Sequence, residues 1–96
     1  MSLLVDPLHP GEVLKELYLD PLGMGVIAFS RCLGVPRTRI ERLVKGVTSI
    51  TPDTALRLGR AFNTSPSYWM GMQTNFDMAV AVKEIDVSEI EPLYAA

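Results

Sequence analysis

The apolar residues of this chain recur every three or four positions over most of its length, which is the spacing of amphipathic helices. No stretch shows a convincing strand-like alternation. The first predicted helix covers residues 10–19, and the segment 20–23 (DPLG) is expected to end it, because proline cannot continue a helix. The side chains expected to form its buried stripe are Val13, Leu14, Leu17 and Tyr18.

Four more helices follow, each bounded by residues that favour helix ends. The second spans about residues 26–33 and the third about residues 36–45, where Gly46 is predicted to act as a left-handed cap. Thr51 and Ser65, each followed by proline, are the predicted N-caps of the fourth and fifth helices. The residues expected to be buried on the second and third helices are Ile27, Phe29 or Ala28, Cys32, Leu33, Ile40, Leu43 and Val44. The chain is therefore expected to be all-α, with five helices.

Composition and charge narrow the candidate functions. With 96 residues, 48% of them apolar, the chain is expected to be one small domain with a thin core. Residues 31–60 hold seven bases and two acids, a net +5, whereas residues 1–30 sum to −3 and residues 61–96 to −4. Local clustering rather than the total of −2 is what attracts a polyanion, so nucleic acid is a candidate partner. A solvated positive face would show the same clustering.

Histidine and cysteine, which take part in much enzyme and metal chemistry, occur once each. The single cysteine rules out a disulfide framework, and no acid is spaced to orient it or the single histidine, His9. His9 is interpreted as a helix-entry residue, and Asp20 and Asp53 as turn and cap residues. We therefore expect no enzyme activity, no cofactor, no metal site and no small-molecule ligand. Without a signal peptide or a membrane-length apolar run, a soluble cytoplasmic protein is expected.

The second and third predicted helices, joined by Gly34-Val35-Pro36, have the arrangement of a helix-turn-helix motif. The apolar residues of the third helix gather on one side, so its other side is expected to face a DNA major groove. The residues expected to read bases are Arg37, Thr38 and Arg42, since an arginine can bind guanine O6 and N7 together. The residues expected to contact phosphates are Arg39, Lys45 and Thr48. An exposed amphipathic helix that binds nothing would share this pattern.

Five separated motifs in the chain occur together in one known family. They are residues 9–14 (HPGEVL), 20–23 (DPLG), 33–40 (LGVPRTRI), 50–58 (ITPDTALRL) and 64–69 (TSPSYW). On these motifs the chain resembles the HigA/VapI antitoxins, lambda-repressor-like helix-turn-helix proteins of type II toxin–antitoxin modules. The resemblance covers about residues 9–83.

The resemblance implies a lambda-repressor-like fold and two activities. Such proteins are homodimers that neutralise a HigB-type toxin, a ribosome-dependent mRNA interferase, and repress their own promoter by binding double-stranded operator DNA. Their dimer contacts usually lie on the C-terminal helices, which here means residues 65–82. The residues expected at the interface are Tyr68, Met70 and Met78, whereas Trp69, Met72 and Phe76 are expected in the core.

The expected layout has three parts. Residues 1–8 form a lead-in, residues 9–83 form the helix-turn-helix domain with its dimerisation helix, and residues 84–96 form an acidic extension. The extension is expected to be a short helix, a strand or a frayed tail.

The chain departs from the family pattern at three places on the expected DNA side. Gly25 and Val26 stand where relatives usually have Ser or Thr followed by Gln, and Glu41 stands where Asn is frequent. The loop after Gly46, which is commonly basic, reads Val-Thr-Ser. Two other functions therefore stay open: a toxin-binding module with weak DNA affinity, and a solitary repressor without a toxin. We expect Glu41 either to accept a hydrogen bond from cytosine N4 or to hold a neighbouring arginine in place.

Overall fold

The computed structural model describes residues 6–95, and within that range it contains five helices and no strand, as the sequence predicts. Helix α1 covers residues 10–22 in three consecutive stretches. The other helices are α2 (Val26–Leu33), α3 (Arg37–Val44), α4 (Pro52–Phe62) and α5 (Pro66–Glu84). Residues 85–95 form neither helix nor strand and are exposed. Residues 1–5 of the predicted lead-in and the last residue of the predicted extension lie outside the described range.

The predicted starts of α1, α4 and α5 are confirmed by hydrogen bonds. The Nδ1 atom of His9 accepts from the Gly11 N–H at 2.9 Å, which makes His9 the N-cap of α1. The side chains of Thr51 and Ser65 likewise accept from the backbone N–H three residues later, at 3.3 and 3.1 Å. After α3 the chain turns at Gly46, whose φ of 74° is the left-handed conformation that glycine adopts without strain.

Helix α1 differs from the prediction because its middle is wound as a π-helix. This stretch, Leu14–Leu19, has about one more residue per turn than an α-helix and lies between Pro10–Val13 and Asp20–Leu22. The wider turn places Leu19, five residues after Leu14, in the core, whereas Leu17 is 65% exposed. Proline at position 21 does not end the helix, which runs on to Leu22 and ends at a left-handed glycine.

One hydrophobic core joins all five helices. Its largest fully buried side chain is that of Trp69 on α5. The other large, fully buried side chains of the core are Leu14, Leu19, Ile40, Leu43 and Leu58. The N-terminal turn of α1 lies directly against the end of α3. The two backbones are so close that a Cβ atom on Gly11 would overlap the backbone carbonyl of Leu43. This close approach fixes the position of α3 relative to the body of the domain.

The prediction that Ile27 and Cys32 of α2 are buried is wrong. Ile27 is 52% exposed and Cys32 is exposed. The buried arc of this short helix is formed by Phe29, Ser30 and Leu33, which lie within about 100° of one another when each residue advances by about 100°. The hydroxyl of Ser30 enters the core because it donates to the carbonyl of Ile27 at 2.9 Å.

Residues 6–95 contain neither a candidate membrane-spanning helix nor a cluster of metal-binding side chains. No helix in this range is long and apolar enough to cross a membrane. The same range contains no group of three or more His, Cys, Asp or Glu side chains that could hold a metal ion.

Candidate nucleic-acid interface

Helices α2 and α3 are joined by a turn of three residues that is held from outside by α4. Gly34 ends α2 with a φ of 71°, and Pro36 is the N-cap of α3. The Nη1 atom of Arg57, on α4, donates to the carbonyl of Leu33 at 2.7 Å and so satisfies one of the unpaired carbonyls at the end of α2. The turn therefore has a defined geometry, and α3 leaves it in a fixed direction.

Helix α3 has one buried face and one exposed, basic face. Ile40 and Leu43 are buried, and Val44 packs against the core. The three residues predicted to read bases are all exposed; they are Arg37, Thr38 and Arg42. Glu41 lies 3.5 Å from the Nε atom of Arg37, one helical turn away, so Arg37 is the neighbouring arginine with which it interacts.

Four of the six predicted DNA-contacting residues meet in one groove of about 640 Å³ between α3 and the loop before α4. The groove is lined by Pro36, Thr38, Arg39, Arg42, Thr48, Ser49, Thr51, Asp53 and Thr54. Arg37 and Lys45, the other two predicted contacts, are exposed outside it. The groove therefore presents hydroxyl and guanidinium donors beside a single carboxylate.

The carboxylate in the groove, Asp53, binds two arginines through the same oxygen. Its Oδ1 atom lies 2.7 Å from Nη1 of Arg39 on α3 and 2.8 Å from Nε of Arg57 on α4. The hydrogen bonds from Arg57 and Arg39 lower the pKa of Asp53 below its usual value. The sequence predicts a helix cap at this position. The spacing of Asp53 and Arg57 indicates their pairing, but only the fold brings Arg39 to the same oxygen.

The loop that carries Thr48 is held by a buried residue that sequence reasoning missed. The Oε1 atom of Gln73, on α5, accepts from the N–H of Ile50 at 2.7 Å, and its Nε2 atom donates to Asp77 at 2.9 Å. Gln73 is 4% exposed, so it replaces water as the partner of that backbone group. The one signal that marks Gln73 in the sequence is its place among Trp69, Met72 and Phe76, the residues of α5 predicted for the core.

Helix α2 begins without a side-chain cap, at a position where the chain departs from the family pattern. Gly25 is its N-cap and provides no side-chain hydrogen bond, whereas a serine there would satisfy a backbone N–H. Val26 packs partly against the core. At this end of α2, backbone N–H groups are the donors that remain for a phosphate.

The residues predicted to form a dimer interface have different environments on α5. Tyr68 accepts a hydrogen bond from the hydroxyl of Tyr18 at 3.1 Å, and this bond is the main reason why the pKa of Tyr18 is raised. Met70 packs against the core of its own chain, whereas Met78 is 57% exposed. Of the residues predicted for the core, Trp69 is fully buried, and Met72 and Phe76 are partly buried.

This geometry has counterparts among known proteins. A family model described as helix-turn-helix matches residues 14–69, so the chain belongs to the helix-turn-helix family. Virulence-associated protein I of Dichelobacter nodosus is 42% identical over 77 residues, which are 80% of this chain and 71% of that protein. This relative and two solved HigA structures show that the chain belongs specifically to the HigA/VapI family.

Two solved structures extend the similarity to nearly the whole chain. An addiction module antidote protein of a HigA family from Coxiella burnetii has a TM-score of 0.87 at 33% identity, covering 94% of this chain and 100% of that one. The Pseudomonas aeruginosa antitoxin HigA, solved with the higBA promoter, has a TM-score of 0.81 at 36% identity, covering 92% of this chain and 99% of that one.

Proposed function

We propose that this chain is an antitoxin and transcriptional autoregulator that binds operator DNA as a dimer and neutralises a HigB-type toxin. The observation that carries the DNA-binding part is the exposed basic face of α3, beside a groove that collects Thr38, Arg39, Arg42 and Thr48. The solved HigA relative with its promoter supports the same reading.

The proposed roles follow from where each side chain lies. Arg37, Thr38 and Arg42 read bases in the major groove, because they occupy the exposed face of α3. Arg39, Lys45 and Thr48 contact phosphates at its flanks and set the register of the protein on the duplex. Glu41 orients Arg37 through their contact of 3.5 Å.

The proposed dimer is supported by apolar surface that one chain leaves open. No residue of α5 after Gln73 is buried. The exposed apolar residues of this half of α5 are Met78, Val80 and Val82. A second copy covering them would place two α3 helices on half-sites about 34 Å apart, one turn of DNA.

The dimer is tested by the molar mass in solution, measured by light scattering. We expect a mass twice that of one chain, and we expect Met78→Glu to reduce it to the monomer, since a charge in an apolar interface is unfavourable. Ala61→Glu, which adds the same charge at an exposed position of α4, outside the proposed interface, is the matched control. A monomeric unmodified chain would contradict the proposal.

The autoregulator and antitoxin parts are tested in cells with separate readouts. We expect the unmodified chain to repress a reporter behind its own upstream promoter, and to restore growth when co-expressed with the toxin from a neighbouring reading frame. Arg42→Ala should lose repression and keep neutralisation. Repression without neutralisation by the unmodified chain would favour a solitary repressor, and neutralisation without repression would favour a toxin-binding module.

A further inference from the structure

Three side chains link the three helices around the groove. Arg57 binds the carbonyl of Leu33, at the end of α2, and also the Oδ1 atom of Asp53 in the first turn of α4. The same Oδ1 atom accepts from Nη1 of Arg39 on α3. Asp53 is therefore attached on one side to the scaffold and on the other to a basic side chain that lines the groove.

The bond to Asp53 restricts Arg39 but uses little of its capacity. A guanidinium has five N–H donors in a fixed fork, and Asp53 accepts from one of them. The side chain of Arg39 is 40% exposed, so its remaining donors are accessible to a second acceptor. A free arginine loses conformational entropy when it is immobilised by a ligand, and a carboxylate that holds it beforehand reduces that loss.

We propose that Asp53 is a positioning residue for DNA recognition: it holds the guanidinium of Arg39 in the groove so that the remaining donors meet a DNA phosphate, while Arg57 fixes Asp53. This inference rests on the operator binding proposed above. It assigns to Asp53 a role that its place as a first-turn acid of α4 does not require.

A carboxylate beside DNA also has an opposite effect, and this makes the inference testable. Asp53 repels phosphates, so removing its charge favours binding wherever Arg39 is not involved. With Arg39 present, removal of the charge releases the arginine and weakens binding. The sign of the effect of Asp53→Asn therefore depends on Arg39, which a purely structural role would not produce.

The test is a double-mutant cycle on the affinity for the DNA segment directly upstream of the chain's own reading frame. We expect Asp53→Asn to weaken binding about three- to tenfold in the unmodified chain, as expected for an arginine that must be ordered on binding. In the Arg39→Ala background the same change should leave the affinity unchanged or increase it. Arg39→Ala alone should also reduce the salt slope by about one.

Two controls make the result specific. Asp20→Asn removes one exposed, ion-paired carboxylate from α1, and we expect it not to weaken binding in either background. Thermal melts should show that all variants fold. Equal losses in both backgrounds, or a gain in the unmodified chain, would overturn the positioning role alone. Failure of the unmodified chain to prefer its upstream DNA over a scrambled duplex would overturn the proposed function together with this inference.

Discussion

Arg42 and Lys45 are both exposed bases near the end of α3, but their positions give them different roles. Arg42 lines the groove, whereas Lys45 caps the helix outside it. We expect Arg42→Ala to cost about 1–3 kcal/mol on operator DNA and to relax specificity, because a base contact is lost. Lys45→Ala should weaken binding to all sequences alike and reduce the salt slope by about one.

The measurement for this pair is the affinity of each variant for operator and scrambled duplexes over a salt series. Lys45→Ala is the matched control for Arg42→Ala, since each removes one positive charge from the same helix. Equal losses on both duplexes for Arg42→Ala would contradict its assignment as a base-reading residue.

Asp53 should also make stability depend on pH. Its two arginines lower the pKa of its carboxyl in the folded chain, so the ionised form stabilises the fold above the ordinary value of about 3.9. That contribution is lost as the pH falls through the lower, folded pKa. Urea denaturation at fixed chain concentration should show Asp53→Asn less stable by a constant amount above about pH 5. The difference should shrink at more acidic pH, and a difference that persists undiminished there would contradict this account.

Two glycines in helices should respond oppositely to a methyl group. A Cβ at Gly11 would overlap the Leu43 carbonyl, so Gly11→Ala should destabilise the fold by about 3 kcal/mol, the upper range for overpacking. A Cβ at Gly71, on the exposed side of α5, meets open space, so Gly71→Ala should stabilise it by about 0.5–1 kcal/mol. Urea denaturation measures both changes, and a neutral Gly11→Ala would refute the close contact between α1 and α3.

Residue environments were predictable where the reason is local. The exposed position of Arg42 follows from the apolar face of its own helix, and the capping role of His9 from its place before proline and glycine. The burial of Ser30 in place of Ile27 depends on which arc of α2 meets the other helices. The bond between Arg39 and Asp53 joins residues 14 positions apart, and no local pattern encodes it.

At the scale of elements, helix ends were better predicted than helix winding. Thr51, Ser65 and Gly46 act through their own chemistry at the chain position where they occur. The π-helical stretch in α1 changes the register of the buried stripe, and its wide turn accommodates a proline that would collide with a carbonyl in an α-helix. Lys15 and Asp20, five residues apart, form an ion pair at 3.1 Å across this stretch.

Gln73 connects α5 to the loop before α4, and we expect its substitution to affect this loop more than α5. Gln73→Leu leaves the Ile50 N–H without its partner, which should destabilise the fold by about 1–3 kcal/mol. Amide exchange of Ile50, measured by NMR, should accelerate more than that of the α5 amides. Asn75→Leu, an exposed amide on the same helix, is the control. Unchanged protection of Ile50 would contradict the role of Gln73.

At the scale of the whole molecule, the charge pattern and the shape have separate origins. The basic middle third contains α3 and the groove, whereas the acidic last third contains all of α5 and the segment after it. The sequence alone indicated this segregation, because charge adds along the chain whatever the fold. The elongated shape, 52 × 24 × 22 Å, depends on how the helices and the exposed segment 85–95 are arranged in space, which sequence periodicity does not define.

The proposed function depends most directly on sequence-specific DNA binding through α3. The measurement is fluorescence anisotropy of the unmodified chain on its own upstream promoter fragment and on a scrambled duplex, at about 50 and about 200 mM salt. We predict tighter binding to the promoter, with an affinity that falls steeply as salt rises. Weak binding that is equal on both fragments would contradict the account, and would mean that Gly25, Val26 and Glu41 have removed operator recognition.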